Sequence, residues 1–450
     1  MSACAQRKKD GVRRNNSVFL FRRSHYGCIG TGWAELVATS IRCQTAKRGG
    51  PLFELARYNP RIRSAKAMGA PLRIEEEQAL FFRAKRAGFV EPKRTALIAA
   101  RDNLGAQSQQ LGPSLHGLSL RTRSRPKAVD LAQEIHSSRK LVRTWGQRDT
   151  VHAYATQDWA TWIAARSLWS GLGRRGVMPT EGAVAKALAL LKKIGEPATR
   201  SDLFGITPKC MVREAEEKIG RKGDAALRIA AGRFFWILAQ RGEVSFADKK
   251  GSEQYFALRS SWFPKLPWDP PQALEAAVAL TERYLKLNAP ATPADIAHFF
   301  GARVSDAREW LQRLGERKTI EVECGSRKGL LALRKDASEL SAAVPPKKSE
   351  WPTQLLPMWD AHLMGHKDKS WVAPKTIDQK RIWKSAAVVQ SIVLHRGRAV
   401  ATWSQKRKGK RVECSLEPLS GWSKTTHGPA YRRGVKELAQ HLEMEATALL

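Results

Sequence analysis

The chain has 450 residues, with 78 Lys and Arg against 42 Asp and Glu, so its net charge is +36 and its pI is about 10.4. A surface this basic disfavours an acidic small-molecule substrate and favours a polyanionic partner, with nucleic acid as the leading candidate. The sequence contains no apolar run of roughly eighteen residues that could span a membrane, and its cysteines and histidines lack the spacing of a disulfide framework or a metal site, so neither metal nor cofactor is predicted.

The first 70 residues differ in composition from the rest of the chain. They hold 14 Lys and Arg, 3 Asp and Glu, and no sustained helical or strand period. A basic DNA-binding tail and an Arg-rich targeting peptide are two interpretations. We favour a third, in which translation starts at Met68 and residues 1–70 are a misassigned or disordered extension. Without this segment the chain keeps +25 of its charge, so the inference of a nucleic-acid partner does not depend on it.

Residues 71–165 are predicted to form the first of three winged-helix units. A helical pattern begins near Ile74, and strands at 141–143 and 150–154 close the unit as a hairpin. Between them lies the tripeptide Gln107-Ser108-Gln109, the most informative feature of the chain. Alone, this tripeptide is more typical of a polar helix surface than of an active site.

An internal repeat predicts two further units, at 180–265 and 270–340. Pro-Ala-Thr-x-x-Asp occurs at 197–202 and again 93 residues later at 290–295. In each copy the Thr is placed to cap a helix and the Asp to complete a capping box. The pattern predicts helices at 184–194, 227–240, 274–287 and 304–314, and strands at 244–246, 254–258, 319–324 and 329–334.

Residues 350–450 are predicted to be a β-hairpin-rich region closed by a helix. Strands are expected at 388–394, 399–404 and 412–416, followed by a helix at 433–444. The turn before the last strand is strongly basic, which suits contact with phosphates or a minor groove. Its five cations are Lys406, Arg407, Lys408, Lys410 and Arg411.

Five motifs in order support a family resemblance. They are LGAQSQ (104–109), LVRTWGQRDTVH (141–152), PATPADIAHFFG (290–301), LLPMWDAHLMGHKDKS (355–370) and GRAVATWS (397–404). Together they resemble the AlkZ-like winged-helix DNA glycosylases over roughly residues 74–445. The resemblance implies an α+β fold in which three tandem winged-helix units and the C-terminal β-rich region form a curved DNA-binding channel. Related crosslink glycosylases of the YcaQ type carry Q-x-D, so Gln109 places this chain nearer the Q-x-Q branch.

The resemblance also implies a chemistry. Family members hydrolyse the N-glycosidic bond of alkylated purines, including N7-linked guanine adducts and interstrand crosslinks. Amides cannot act as general bases at neutral pH, but a base alkylated at N7 already carries a positive charge and leaves without strong acid catalysis. We therefore assign Gln107 and Gln109 as catalytic residues whose carbonyl oxygens position water and stabilise an oxocarbenium-like sugar.

Other residues in the motifs are candidate DNA contacts. Arg143, Arg148 and His152 suit phosphate contacts, and Trp145 could either stack on a nucleotide or belong to the core. Asp360 could lie near the lesion or cap the following segment. The family pattern usually has Phe, Arg and Gly where this chain has Trp359, Lys369 and Asp149, and Asp149 is expected to put a negative charge beside a DNA contact.

The predicted function is thus a monofunctional DNA glycosylase of DNA repair. Its partner would be double-stranded DNA with alkylated purines, without a membrane or an obligate protein partner, in the bacterial cytoplasm at the nucleoid. One alternative is a non-catalytic winged-helix regulator, in which the glutamines are only surface residues. A second is a structured-RNA binder, because basic hairpins do not distinguish duplex types.

Overall fold

A computed structural model of the protein describes residues 70–169, 177–220, 222–342, 344, 350–385 and 387–449. The segment 1–70, with its alternative start at Met68, lies outside these residues except for Ala70. The described chain contains both helices and strands throughout its length, which confirms the predicted mixed α+β class. The described residues between 70 and 384 and between 388 and 449 belong to one compact unit.

The first segment contains a three-stranded sheet in the order β2 (Ala106–Gln107), β4 (Val151–Ala155), β3 (Leu141–Trp145). Strands β3 and β4 pair antiparallel, as predicted from the sequence, and the short β2 adds to the free edge of β4. Its elements are β1 (Leu72–Ile74), α1 (Glu76–Ala87), α2 (Ala96–Asp102), β2 (Ala106–Gln107), α3 (Leu111–Leu120), α4 (Ala128–His136), β3 (Leu141–Trp145), β4 (Val151–Ala155) and α5 (Trp159–Arg166).

The second segment has the order of helices and hairpin that the repeat predicts. The hairpin strands pair antiparallel and are longer than predicted, because the basic turn between them continues the ladder. Its elements are α6 (Glu181–Ile194), a 3₁₀ helix (Ser201–Ile206), α7 (Lys209–Ile219), α8 (Asp224–Gln240), β5 (Val244–Lys250), β6 (Glu253–Leu258) and α9 (Arg259–Trp262).

The third segment repeats this order. The helix at 304–314 and the strand at 319–324 agree with the predicted bounds. Its elements are α10 (Ala273–Asn288), α11 (Pro293–Phe300), α12 (Val304–Leu314), β7 (Thr319–Cys324), β8 (Arg327–Leu333) and α13 (Ala337–Leu340).

The two copies of the repeat differ as helix starts. In the second copy Thr292 and Asp295 form the predicted capping box, with Pro293 in the first turn of α11. In the first copy Asp202 accepts a hydrogen bond from the Thr199 amide at 2.7 Å, but the motif begins a 3₁₀ helix and no capping box forms. The predicted capping box was therefore wrong for the first copy of the repeat.

The alanine of each repeat has a shared structural role. Ala198 exchanges two backbone hydrogen bonds with Phe256, and Ala291 does the same with Leu331. Both partners lie on the second strand of the following hairpin. In the first segment β2 occupies the equivalent place against β4, so Gln107 stands where the other two segments carry the helix-starting motif.

The C-terminal segment is a five-stranded sheet with the helix α16 (Lys424–Leu442) packed against it. The strand order is β13 (Glu445–Leu449), β12 (Arg411–Pro418), β11 (Arg398–Lys408), β10 (Ser391–His395), β9 (Gln354–Leu356). The predicted strand at 388–394 starts later, because Val389 bridges to Trp383 instead. The sequence patterns had missed the edge strands β9 and β13. The elements are β9 (Gln354–Leu356), α14 (Ala361–Met364), α15 (Thr376–Ile382), β10 (Ser391–His395), β11 (Arg398–Lys408), β12 (Arg411–Pro418), α16 (Lys424–Leu442) and β13 (Glu445–Leu449).

One large core joins segments that are distant in sequence. It includes buried residues from the first, third and C-terminal segments, such as Phe82, Tyr284 and Leu394. Strand β1 pairs in parallel with β7, which adds the start of the described chain to the third hairpin. The second segment packs mainly around its own core, centred on Phe234 and Phe256.

Candidate active site

The tripeptide 107–109 lies in the link between α2 and α3. Gly105, just before it, has φ +90°, a backbone conformation that favours glycine. A Cβ at Gly105 would lie 2.5 Å from Cε1 of Tyr154, so the missing side chain lets the link pass against β4. Gln107 is then held in β2 opposite His152.

The two glutamines have different environments. Gln107 is buried, with 8% of its surface exposed, and its Oε1 accepts a hydrogen bond from Nη2 of Arg148 at 3.0 Å. Gln109 is exposed in the bend before α3. The structure therefore fixes the first amide and leaves the second at the surface, and the catalytic role of each stays a prediction.

Ser108 is anchored on both sides of its peptide. Its N–H donates to the carbonyl of Val151 at 2.7 Å, and its carbonyl accepts from Nε and Nη2 of Arg143 at 3.1 and 2.9 Å. Its hydroxyl is buried and has no hydrogen-bond partner in the described part of the chain. From the sequence we assigned roles only to the flanking glutamines, although the position of Ser108 between them also indicated that it belongs to the site.

Arg143 is buried and Arg148 is half-buried, and both donate hydrogen bonds to protein oxygens. Arg143 donates to Ser108 and to Oε1 of Gln254, and Arg148 donates to Gln107 and to the carbonyl of Phe299. Burial lowers the pKa of each guanidinium to about 10, so both remain charged at neutral pH. Because protein oxygens accept hydrogen bonds from both guanidinium groups, Arg143 and Arg148 hold the tripeptide in place. A phosphate contact by either arginine stays a prediction.

The turn between β3 and β4 carries unusual backbone at Arg148 and Asp149. Both residues have φ +57°, in the left-handed region. The carboxylate of Asp149 accepts from Nη2 of Arg166 and from Nε1 of Trp236, each at 2.7 Å. The expected uncompensated charge at Asp149 is therefore paired within the protein. Neither partner carried a sequence signal, since they lie on α5 and α8.

His152 and Trp145 contribute to packing beside this turn. His152 is 1% exposed, and burial followed by the nearby Arg148 charge lowers its pKa well below the ordinary value. The imidazole is therefore neutral at pH 7, and a phosphate contact by His152 stays a prediction. Trp145 lies 4.5 Å from the ring of Phe246 and 5.9 Å from that of Phe256, which matches the core alternative.

Asp360 is a helix cap and half of a buried ion pair. Its Oδ1 accepts from the N–H of His362 at 2.9 Å, which confirms the capping alternative. Its two oxygens also accept from Arg121, at 2.6 and 2.9 Å, and the two side chains are 1% and 3% exposed. The carboxylate is thus saturated by protein donors, and Arg121 is a partner that the sequence did not reveal.

Gln107 and Asp360 line the same small pocket. Its other walls include Pro113 and Ser114 from α3, and Met358 and Trp359 from the loop after β9. Two motifs that are far apart in sequence, LGAQSQ and LLPMWD, therefore meet at one surface. Trp359 has φ +54°, so the departure from the family pattern sits at a conformationally unusual position.

Lys369 lies in a second pocket rather than in the pocket of Gln107. Its Nζ donates to the carbonyl of His366 at 2.6 Å and lies 3.2 Å from Nε2 of His298. Burial, followed by the charge on Arg148, lowers the pKa of Lys369 to about 8. The pKa of His298 falls to about 4, mainly by burial, so a neutral imidazole can accept from this amine.

The basic turn of the C-terminal sheet is exposed. It connects β11 to β12, whose ladder runs out to Lys408 and Arg411. Those two residues pair with acids, Lys408 with Glu413 at 2.8 Å and Arg411 with Glu445 at 3.2 Å. No ion pair is found in the described chain for the other three cations, Lys406, Arg407 and Lys410.

The described ranges lack two further features. Within them no group of three or more His, Cys, Asp or Glu side chains is placed to hold a metal ion. No described helix is both long and apolar enough to cross a membrane.

Comparison with known proteins places this chain in a family. No curated protein gives a significant sequence match. A solved structure, the DNA glycosylase AlkZ of Streptomyces sahachiroi, is similar with a TM-score of 0.66 and 21% identity, covering 84% of this chain and 99% of that one, which shows a shared fold. The family described as DNA glycosylase AlkZ-like matches residues 100–450. The chain therefore belongs to the AlkZ-like family of DNA glycosylases.

Proposed function

We propose that this DNA glycosylase is monofunctional and hydrolyses the N-glycosidic bond of alkylated purines, with N7-alkylguanine as its main substrate class. The observation that carries the proposal is the chemistry of the pocket beside Gln107. Of the described residues that line this pocket, Asp360 is the one acid, and Arg121 already pairs with both of its oxygens. Amides are left to act on the substrate.

An amide site suits a leaving group that is already activated. Departure of an ordinary purine requires protonation of the base or a strong base to activate water, and a glutamine supplies neither. A purine alkylated at N7 carries a positive charge, so the electron pair of the breaking bond neutralises it. The protein then has to orient water and stabilise positive charge on the sugar, which oriented dipoles can do.

DNA binding is proposed to use the repeated segments together. We interpret 71–165, 180–265 and 270–340 as tandem winged-helix units, because each places helices before a hairpin and the last two share the Ala bridge. With the β-rich region 350–450 they would line a curved channel for double-stranded DNA. The net charge of +36 supplies the electrostatic attraction, and the reaction as written needs no metal or cofactor.

The test is release of base from defined duplexes. Wild-type protein should release N7-methylguanine and leave abasic sites, whereas Gln107→Ala and Gln109→Ala should lose most release and bind the same DNA with unchanged affinity at a stated salt concentration. Gln110→Ala is the matched control, since Gln110 is an exposed neighbour with no side-chain capping bond. Unchanged release in both active-site variants would contradict the assignment.

A second substrate separates monoadducts from crosslinks. A plasmid with N7-guanine interstrand crosslinks is incubated with the protein and assayed for unhooked strands and abasic sites. Unhooking would extend the function to crosslinks. Release of methylguanine alone would restrict it to monoadducts.

The non-catalytic regulator remains the alternative function. Intact DNA binding without base release from either substrate would favour it. Competition between DNA and RNA duplexes at matched salt tests the RNA-binding interpretation, because both duplexes offer the same phosphate charge.

A further inference from the structure

We propose that Arg148 is a positioning residue that orients the amide of Gln107, so that Gln107 meets DNA as a hydrogen-bond donor and Gln109 serves as the acceptor. This inference rests on the proposed function and deepens it. It revises the symmetric roles that the sequence assigned to the two glutamines, in which both carbonyl oxygens faced water.

The chemistry of arginine decides which end of the amide faces it. A guanidinium carries five N–H donors and no acceptor. The atom of Gln107 that lies 3.0 Å from Nη2 of Arg148 must therefore be the carbonyl oxygen. The reverse orientation would set two donors against each other at a site where Gln107 is 8% exposed, and that arrangement is costly in a buried environment.

The other end of the amide is then available to a ligand. No hydrogen bond to Nε2 of Gln107 is found from the described residues, yet this nitrogen is not among their buried, unpaired polar atoms. Gln107 lines the pocket that Met358 and Trp359 also line. An accessible amide N–H₂ at a pocket wall can donate a hydrogen bond to an oxygen of a bound ligand.

Arg148 itself is held by contacts from several elements. Its Nη1 donates to the carbonyl of Phe299 at the end of α11. A Cβ at Gly301 would lie 3.0 Å from Cα of Arg148, so the glycine allows the two backbones to approach. The adjacent Asp149 is tied to Arg166 and Trp236. The left-handed turn is thus fixed, and with it the direction of the guanidinium.

The division of roles gives a balanced hydrolysis. Water donates one hydrogen bond to Oε1 of Gln109, which leaves a lone pair directed at C1′, while Nε2 of Gln107 holds an oxygen of the damaged nucleotide. The water oxygen bonds to C1′ as the bond from C1′ to the purine nitrogen breaks. The electron pair neutralises the cationic base, which leaves, and the proton from water passes to solvent.

A pair of isosteric substitutions tests the division. Gln107→Glu replaces the donor with an oxygen that Arg148 would bind, and we expect kcat for N7-methylguanine release to fall by about 100-fold or more. Gln109→Glu keeps an acceptor, and its kcat should stay within about tenfold of the wild type. Gln110→Glu adds the same charge at an exposed neighbour and serves as the control.

The positioning role of Arg148 requires its own readout. Arg148→Lys keeps the charge but loses the planar pair of donors. We expect kcat to fall while KM and DNA affinity hold, with a loss smaller than that of Gln107→Glu. A rise in KM at constant kcat, full activity in Gln107→Glu, or equal losses in both Glu variants would overturn the proposal.

A measurement that does not depend on catalysis separates this inference from the proposed function. In protein with ¹⁵N-labelled glutamine side chains, the Nε2 resonance of Gln107, identified by its absence in Gln107→Glu, should shift when a duplex with an abasic site binds. In Arg148→Lys the shift should shrink. A resonance unaffected by DNA would refute the donor role even if base release is normal. A shift in a protein that releases no base would support the donor role of Gln107 and contradict the proposed substrate.

Discussion

Two basic regions of this protein look alike in sequence and differ in what their charges contact. Around the tripeptide, Arg143 is buried and Arg148 is half-buried, and both donate to protein oxygens. At the turn between β11 and β12, the cations are exposed and three of them have no ion pair among the described residues. We infer that the interior cations set geometry and the exposed ones supply attraction. Substitutions should therefore affect stability and chemistry in one region, and affinity and salt dependence in the other.

The largest effect is expected at the buried pair of Asp360 and Arg121. Asp360→Ala leaves the Arg121 guanidinium buried without its partner and removes the cap of α14. We expect the free energy of unfolding to fall by about 3–5 kcal/mol. Chemical denaturation measures it. A loss below about 1 kcal/mol would mean that the buried Arg121 guanidinium does not need Asp360. That result would contradict the distinction between interior and exposed cations.

The exposed turn should show the opposite behaviour. The triple variant Lys406→Ala, Arg407→Ala, Lys410→Ala should lower DNA affinity and reduce the slope of log affinity against log salt by up to about 3, roughly 0.9 for each lost phosphate contact. Its stability and its kcat at saturating DNA should not change. Binding titrations over a salt series measure the slope. An unchanged slope with a lower kcat would place this turn with the interior region.

The smallest effect concerns Lys369, whose exposure lies between that of the buried cations and that of the exposed turn. Burial lowers its pKa to about 8 from the ordinary 10.5, so above pH 8 the unfolded chain holds more protons at this site than the folded one. Its contribution to stability should rise with pH between about 8 and 10.5, by no more than about 1.4 kcal/mol per pH unit. Subtracting the same curve for Lys369→Met isolates this group. A flat difference would show that the folded amine is solvated.

Local patterns predicted the elements better than they predicted the contacts. The helix at 304–314 and the separate strands at 319–324 and 399–404 follow from periodicity and turn residues within a few positions. The capping box at Thr292 was also correct, because it is contained in four consecutive residues. The partners of Asp149, Gln107 and Asp360 could not be found this way, since each comes from a distant element whose approach is set by packing.

The candidate site shows the same difference between what local patterns predict and what depends on distant contacts. The importance of the tripeptide could be inferred from its companion motifs, but the orientation of the Gln107 amide depends on a turn with two left-handed residues that no short pattern predicts. His152 illustrates the cost of this limit. Its burial beside Arg148, which lowers the pKa of the imidazole, could not be inferred from the residue type.

The pairing of β1 with β7 has a consequence for synthesis of the chain. Arg73 and Glu323, which form an ion pair across these strands, are 250 residues apart. At ordinary rates of translation the ribosome needs on the order of 10–50 s to make the intervening chain. During that interval β1 has no partner strand, and contacts of such long sequence separation slow folding. The first strand of the described chain is therefore among the last parts of its sheet that can be completed.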